Sequence, residues 1–151
     1  MTPSSRIDPV RISIACLLAW ALPGAGHLFL GRRVKGLVFL AIVLVTFTTG
    51  LAFQGRVYLA NPEQPLSYLA TFANLALGPL DLIARQVSYD RVLYFFPSES
   101  NRDLYQEILD RTRVRILAVT HEYGTTFLLT AGLMNILLIL DVFDLGIGRK
   151  N

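Results

Sequence analysis

Uncharged apolar blocks constrain this chain more than any other feature of its sequence. Ile12–Leu30 and Gly36–Phe53 contain no Asp, Glu, Lys or Arg, and Gly124–Ile147 contains none before Asp141. A helix of about 20 apolar residues crosses the hydrocarbon core of a bilayer, which is about 30 Å thick. The sequence therefore predicts an all-α integral membrane bundle in a single domain, 1–151, with spans at about 12–30, 36–53 and 124–143.

The overall composition agrees with a membrane protein. Of the 151 residues, 53% are hydrophobic and 17% are charged, whereas a soluble domain has about 25% charged residues. The net charge is +3, and the basic residues lie beside the apolar blocks instead of forming a stripe that could bind nucleic acid. The expected partners are membrane lipids, and also other membrane proteins or a second copy of the chain, but no nucleic acid.

Two of the apolar blocks contain helix-breaking residues. Pro23 and Gly24 predict an interruption between Leu22 and His27, because proline lacks a backbone donor and clashes with the preceding turn. The block Leu66–Ala84 is broken as well, and its polar residues leave two interpretations open: a fourth span, or a re-entrant pair of short helices. We therefore expect three or four transmembrane helices, one of them broken.

The segment 85–123 has the composition of an extramembrane region. Within it, Asn101–Val119 has apolar residues at helical spacing and predicts an amphipathic helix. Glu107 and Arg111 are four residues apart, in the order that favours a helical ion pair. This helix either packs on its own membrane domain or offers a docking surface to a partner.

Basic residues beside the helix ends predict how the chain is oriented. They form two clusters: Arg32, Arg33 and Lys35, and then Arg149 and Lys150. The positive-inside rule places both clusters in the cytoplasm, which requires an even number of crossings between them. This favours three spans plus a re-entrant segment, with the N-terminus outside, although the six arginines of segment 85–115 argue for a cytoplasmic central region.

The densest motif is Pro23-Gly24-Ala25-Gly26-His27-Leu28-Phe29-Leu30-Gly31-Arg32-Arg33. It resembles the start of the transmembrane-two domain family. A second set, from Glu122-Tyr123-Gly124 through Ala131-Gly132-Leu133-Met134-Asn135 to Leu140-Asp141-Val142-Phe143-Asp144, is similar to a small uncharacterised bacterial membrane family. These resemblances imply a bacterial inner-membrane protein of unknown function, and they do not imply any activity.

The sequence contains no recognisable catalytic or cofactor motif. His121 and Glu122 begin a zinc-protease pattern, but Thr125 stands where the second histidine belongs. We therefore predict no enzyme activity, no metal and no cofactor. Ten residues are candidates for a structural or functional role: Pro23, Gly24, Gly26, His27, Gly31, Arg32, Arg33, Asn135, Asp141 and Asp144.

The expected function is a non-enzymatic multipass module of the cell membrane: a scaffold, an accessory subunit or a lipid-interacting protein. One alternative is a small transporter or channel subunit that uses the broken helix and the two C-terminal carboxylates. Another is an intramembrane enzyme with His27 and Asp141 as acid and base. Because a carboxylate at the margin of hydrocarbon needs a cation, a donor or water, we expect His27, Arg32 or Arg33 to contact Asp141 or Asp144 at one face.

Extraction of membranes with carbonate at high pH tests the predicted integral membrane state. The protein should stay in the pellet, because the apolar blocks hold it in the bilayer independently of charge. Release into the supernatant, with a known integral protein retained in the same sample, would contradict the prediction.

Overall fold

A computed structural model describes residues 9–116 and 120–149, and in them the chain is all-helical. The helices are α1 Pro9–Ala21, α2 Ala25–Phe29, α3 Arg33–Ala52, α4 Pro65–Leu75, α5 Pro79–Tyr89, α6 Arg102–Ile116 and α7 His121–Gly146. The predicted all-α class is confirmed. By length and composition, α3 and α7 are apolar enough to cross a membrane.

Helices α3 and α7 form an antiparallel pair that organises the rest of the fold. Gly50 and Gly55, at the end of α3 and just beyond it, approach the backbone of Gly124 near the start of α7. At the other end, Phe39 of α3 packs on the core that includes Leu138 of α7. We call the end where α3 begins and α7 finishes the His27 end, and the opposite end the His121 end.

Helices α1 and α2 form a hairpin whose two ends both lie at the His27 end. The guanidinium carbon of Arg11, near the start of α1, lies 6.0 Å from the ring centroid of Phe29, the last residue of α2. Ile12 contacts Gly146, near which α7 finishes. The chain thus runs along α7 from the His27 end, turns, and comes back.

This hairpin occupies most of the predicted span over residues 12–30, which stays a prediction. The predicted interruption between Leu22 and His27 is confirmed, since α1 ends at Ala21 and α2 begins at Ala25. The break reverses the chain because Gly24 adopts the left-handed conformation, with φ 84°, which costs a glycine little. With 13 residues, α1 is about 20 Å long, less than the thickness of a hydrocarbon core.

Helices α4 and α5 form a second hairpin, which enters from the His121 end. Thr71 of α4 and Arg85 of α5 both donate to the carbonyl oxygen of Tyr58, at 3.1 and 3.3 Å, so the chain comes back to the same loop after the turn. Gly78 and Pro79 make the turn between them. The block Leu66–Ala84 contains two short helices, α4 and α5, and its place in the membrane stays a prediction.

The tips of the two hairpins meet beside the middle of α7. The indole Nε1 of Trp20, in the first hairpin, donates to the carbonyl oxygen of Leu75 in the second at 3.1 Å. Gly78 packs on the carbonyl group of Trp20, with no room for a Cβ atom. The hairpins therefore enter from opposite ends of the bundle and close against each other.

Helix α6 lies at the His121 end, and it confirms the predicted amphipathic helix as far as Ile116; residues 117–119 lie outside the described part of the chain. The predicted pair between Glu107 and Arg111 is present at 3.1 Å. Asp90 also accepts a hydrogen bond from Arg111, and this contact raises the pKa of the guanidinium above its usual value. Ile108 belongs to the apolar face of α6, and its side chain is buried.

The contact between the second hairpin and α7 yields a testable prediction. A Cβ atom on Gly132 would overlap the carbonyl oxygen of Ala73, and a backbone atom cannot move aside as a flexible side chain can. Gly132→Ala should therefore lower the free energy of unfolding in detergent, by about 1–3 kcal/mol. Thr130→Ala, at an exposed position of the same helix, is the control, and equal stability of the two variants would contradict the prediction.

Candidate functional site

The strongest of the predicted contacts joins the first hairpin to α7. His27 is completely buried, and its Nε2 lies 2.9 Å from Oδ2 of Asp141. The edge of the imidazole packs on the ring of Phe39, with 5.1 Å between ring centroids. When Asp141 is ionised, the proton of this hydrogen bond is on Nε2. The predicted His27–Asp141 hydrogen bond is therefore present.

The turn before α2 determines where His27 lies. Pro23 and Gly24 are buried, and Gly24 packs on the carbonyl oxygen of Gly36 at the start of α3. Gly26 contacts Val142 and the carbonyl oxygen of Ala15 so closely that a methyl group there would push α2 away from α1 and α7. The small residues of this motif thus bring His27 within reach of the aspartate.

Asp141 faces a groove as well as His27. The groove has a volume of about 400 Å³, and its walls are mostly apolar side chains of α3 and α7, including Phe39, Met134 and Leu137. Asp144 lines the same groove one turn further along. Asp141 is 23% exposed, whereas His27 is 0% exposed, so the aspartate is the member of the pair that outside molecules can reach.

The predicted contribution of the arginines to this cluster is not observed. Arg32 and Arg33 are exposed, and within residues 9–116 and 120–149 neither forms an ion pair with Asp141 or Asp144. Gly31 takes a left-handed conformation, with φ 82°, and begins the turn into α3. This turn leaves both arginines on the rim of the bundle, where water and anionic groups can solvate them.

Asn135 connects the two hairpins to α7. Its Nδ2 donates to the carbonyl oxygen of Ala19 at 3.3 Å and to that of Ala76 at 2.6 Å. Gly132 lies one turn earlier on the same face of α7 and admits the backbone of α4. The sequence analysis named Asn135 as a candidate for a structural or functional role, and its two acceptors come from the tips of both hairpins.

Sequence reasoning missed a buried ion pair in the second hairpin. Nε of Arg85 donates to Oδ2 of Asp81 at 2.8 Å, and neither side chain is exposed. The guanidinium also donates to the carbonyl oxygens of Tyr58 and Leu93, and it lies 4.2 Å from the ring centroid of Tyr94. The four-residue spacing of Asp81 and Arg85 was the available signal. Arg85 thus ties the hairpin to the loops at the His121 end.

The described residues include no group of three or more His, Cys, Asp or Glu side chains close enough together to hold a metal ion. The chemistry of the site is therefore that of a two-residue hydrogen bond beside an apolar groove. Such a pair can fasten two helices, and it can exchange a proton through the partly exposed carboxylate.

A double-mutant cycle measures the contact between His27 and Asp141. Hydrogen bonds that involve a charged group contribute about 1.5–3 kcal/mol, so His27→Ala and Asp141→Ala should show a coupling of about 1–3 kcal/mol in the free energy of unfolding. The measurement is reversible unfolding of the purified protein in detergent.

A second cycle, with Asp144→Ala in place of Asp141→Ala, is the matched control. Its coupling to His27→Ala should be smaller, because Asp144 does not hydrogen-bond to the imidazole. Equal coupling in the two cycles would show that the His27–Asp141 hydrogen bond does not contribute specifically to stability.

Comparison with known proteins gives one match. A family model described as a family of unknown function, DUF6677, covers residues 14–151. No curated protein matches the chain, and neither does any solved structure. The resemblance of residues 23–36 to the transmembrane-two domain family and the bacterial origin stay predictions. Since the matched model spans nearly the whole chain, including both hairpins and both long helices, the protein belongs to the family of unknown function DUF6677.

Proposed function

We propose that this protein is an integral protein of the cell membrane, in bacteria the inner membrane, and that it works as a non-enzymatic scaffold, accessory or lipid-interacting module. The observation that supports this most is that many apolar side chains lie on the surface and several polar side chains lie in the interior, the reverse of a soluble protein. Large apolar side chains of α3 and α7 are exposed, for instance Val34 (77%), Val45 (64%) and Leu137 (65%). Exposed surface of this kind is favourable in lipid and unfavourable in water.

The interior has the opposite character. Among the described residues, five polar or charged side chains are completely buried: His27, Asn74, Asp81, Arg85 and Asn135. Only 22% of the apolar stretch of α3 and 33% of that of α7 are buried, whereas a core helix of a soluble protein is mostly buried. In the proposed arrangement α3 and α7 cross the bilayer, and lipid covers their exposed faces.

The two hairpins then enter the bilayer from opposite faces. Both ends of α1–α2 belong to the His27 end, together with Arg32, Arg33 and Arg149. Under the positive-inside rule, this end is cytoplasmic. Arg85, which the sequence counted toward the opposite orientation, is paired with Asp81 and surrounded by protein, so it is a weak determinant of orientation. The start of α1 would lie on the cytoplasmic side, in contrast to the sequence expectation.

The alternative of a transporter or channel subunit has one observation in its favour. Broken helices that meet at the middle of the membrane form the substrate sites of many transporters, and the two hairpin tips meet beside Asn135. The tips are tightly packed, however, because Gly78 contacts the carbonyl group of Trp20 without a gap. The described arrangement is that of a closed contact, and solute flux into proteoliposomes would be the evidence for transport.

The alternative of an intramembrane enzyme is supported by the distance of 2.9 Å between His27 and Asp141 beside a groove. Against it, the imidazole is completely buried, and its Nε2 is occupied by the aspartate. A buried base has no route to a substrate proton, so of the two residues only the partly exposed Asp141 can meet a substrate. This geometry favours a fastening role for the pair.

Labelling of single cysteines tests the proposed topology. In a Cys16→Ala background, an impermeant maleimide should label Val10→Cys, Val34→Cys and Arg149→Cys from one side of sealed vesicles. It should label Glu63→Cys and Glu99→Cys from the other side, because α4 and α5 return to the His121 end.

Each departure from this pattern identifies a different error. Opposite labelling of positions 63 and 99 would make α4–α5 a true crossing. Opposite labelling of positions 10 and 34 would do the same for α1–α2. Labelling of positions 34 and 149 from opposite sides, with 63 and 99 still labelled from one side, would mean that α3 or α7 does not cross. That result would refute the proposed arrangement.

A further inference from the structure

Two cavities adjoin at the start of α4. The polar cavity, at the His121 end, has a volume of about 710 Å³, and Arg56, Tyr89, Tyr105, His121 and Glu122 line it. The apolar groove has a volume of about 600 Å³ and lies between α4 and α7. Three residues line both of them: Tyr58, Gln64 and Ser67. One continuous surface therefore changes from polar to apolar as it leaves the His121 end.

The polar cavity carries positive charge next to one carboxylate. Arg56 is 6% exposed, donates to the carbonyl oxygen of Arg111, and has its guanidinium carbon 5.9 Å from the ring centroid of Tyr89. Nδ1 of His121 is 3.0 Å from the carbonyl oxygen of Gln54, which fixes the imidazole. The cavity also includes the first turn of α7, the positive end of its dipole.

This set of groups suits a phosphate ester. Guanidinium groups are the preferred partners of phosphate oxygens, and Arg56, which carries such a group, lines the polar cavity. Glu122 is the only acidic side chain among the described residues that line the polar cavity. It repels an anion that fills the whole cavity, but it suits a headgroup with an amine beyond its phosphate.

The apolar groove suits an acyl chain. Its walls include Leu66, Leu69, Ala70, Leu129 and Leu133, and Leu66 and Leu69 are 78% and 67% exposed. Along α7 the groove extends from Leu129 toward the middle of the helix. In the proposed membrane arrangement, that direction leads from the headgroup region into the hydrocarbon core.

We propose that the polar cavity and the apolar groove together form a binding site for one phospholipid, with its phosphate at Arg56 and an acyl chain between α4 and α7. This inference rests on the proposed membrane insertion and assigns the lipid to one face of the protein. The inference is supported by the order of the two cavities along α7. The polar cavity lies at the start of this helix, where a lipid headgroup would lie, and the apolar groove lies deeper, where an acyl chain would lie.

Lipid binding to the purified full chain tests the site. The probes are palmitoyl-oleoyl phosphatidylethanolamine and phosphatidylglycerol, added to delipidated protein in detergent and measured by native mass spectrometry. Ala70→Phe fills the apolar groove and should weaken binding of both lipids about tenfold, a loss of about 1.4 kcal/mol. Ala41→Phe, at an exposed position of α3, is the matched control and should leave binding unchanged.

A headgroup variant and two further probes test the phosphate. Arg56→Gln should weaken binding about tenfold, as expected for loss of a charged hydrogen bond. Diacylglycerol, which has the chains and no phosphate, should bind as weakly to the wild type as phospholipid binds to Arg56→Gln. Inorganic phosphate alone should not displace the lipid. If Arg56→Gln does not fold, two comparisons still test the site: Ala70→Phe with Ala41→Phe, and diacylglycerol with phospholipid.

Three results would overturn the inference. Equal binding to Ala70→Phe and Ala41→Phe would exclude the apolar groove, and equal binding of diacylglycerol and phospholipid would exclude the phosphate contact. Dimers that Ala70→Phe dissociates, with lipid binding unaffected, would assign the groove to a second copy of the chain. The carbonate extraction and the cysteine labelling detect a failure of membrane insertion, independently of lipid binding. A protein that inserts but binds lipid without this pattern would refute the lipid site alone.

Discussion

The amide of Asn135 is the interaction on which the arrangement of this fold depends. Each hairpin stops a helix in the middle of the bundle, and the last carbonyl groups of a helix have no partner within it. Nδ2 of Asn135 supplies a donor to one such carbonyl from each hairpin, Ala19 and Ala76. In an apolar environment an unsatisfied backbone group costs several kcal/mol, so a single amide stabilises two chain reversals.

Glycines make that interaction geometrically possible. Gly132 brings α4 against α7, Gly78 brings the second tip against the first, and Gly26 brings α2 against α1 and α7. Each of these glycines packs on a backbone carbonyl of a neighbouring element, and Gly26 packs also on the side chain of Val142, so a side chain at any of these positions would separate the elements. His27 and Asp141 then fasten the first hairpin closer to the His27 end, and Asp81 and Arg85 stabilise the second from within.

These contacts leave the outer faces of α3 and α7 free of protein partners in the described part of the chain. The proposed membrane function follows from that division: polar groups fasten the interior, and apolar groups meet lipid. At the start of α4 the outer surface combines the cationic side chain of Arg56 with an adjoining apolar groove, and we propose that this combination matches the two parts of a phospholipid.

The sequence by itself determined the all-helical class, the apolar blocks, the interruption after Leu22, the amphipathic helix and the likeness to a family without assigned function. It also predicted that His27, Arg32 or Arg33 meets Asp141 or Asp144, because an even number of crossings brings residues 31–35 and the end of α7 together. Of these pairs the structure contains His27 with Asp141. Of the ten candidate residues, His27, Asn135 and Asp141 form side-chain hydrogen bonds between elements of the bundle. Arg32 and Arg33 are charged but exposed, so they do not need a partner inside the bundle.

Only the tertiary structure decided the direction of the chain after each break. A helix that continues beyond a proline and one that turns back have the same hydropathy, since hydropathy describes composition along the chain. The left-handed conformation of Gly24 and the contact of Gly78 with Trp20 resolve that ambiguity. The acceptors of Asn135 and the carbonyl partners of Arg85 were likewise beyond prediction, because every residue carries a carbonyl group and only the packed fold selects which of them need a donor.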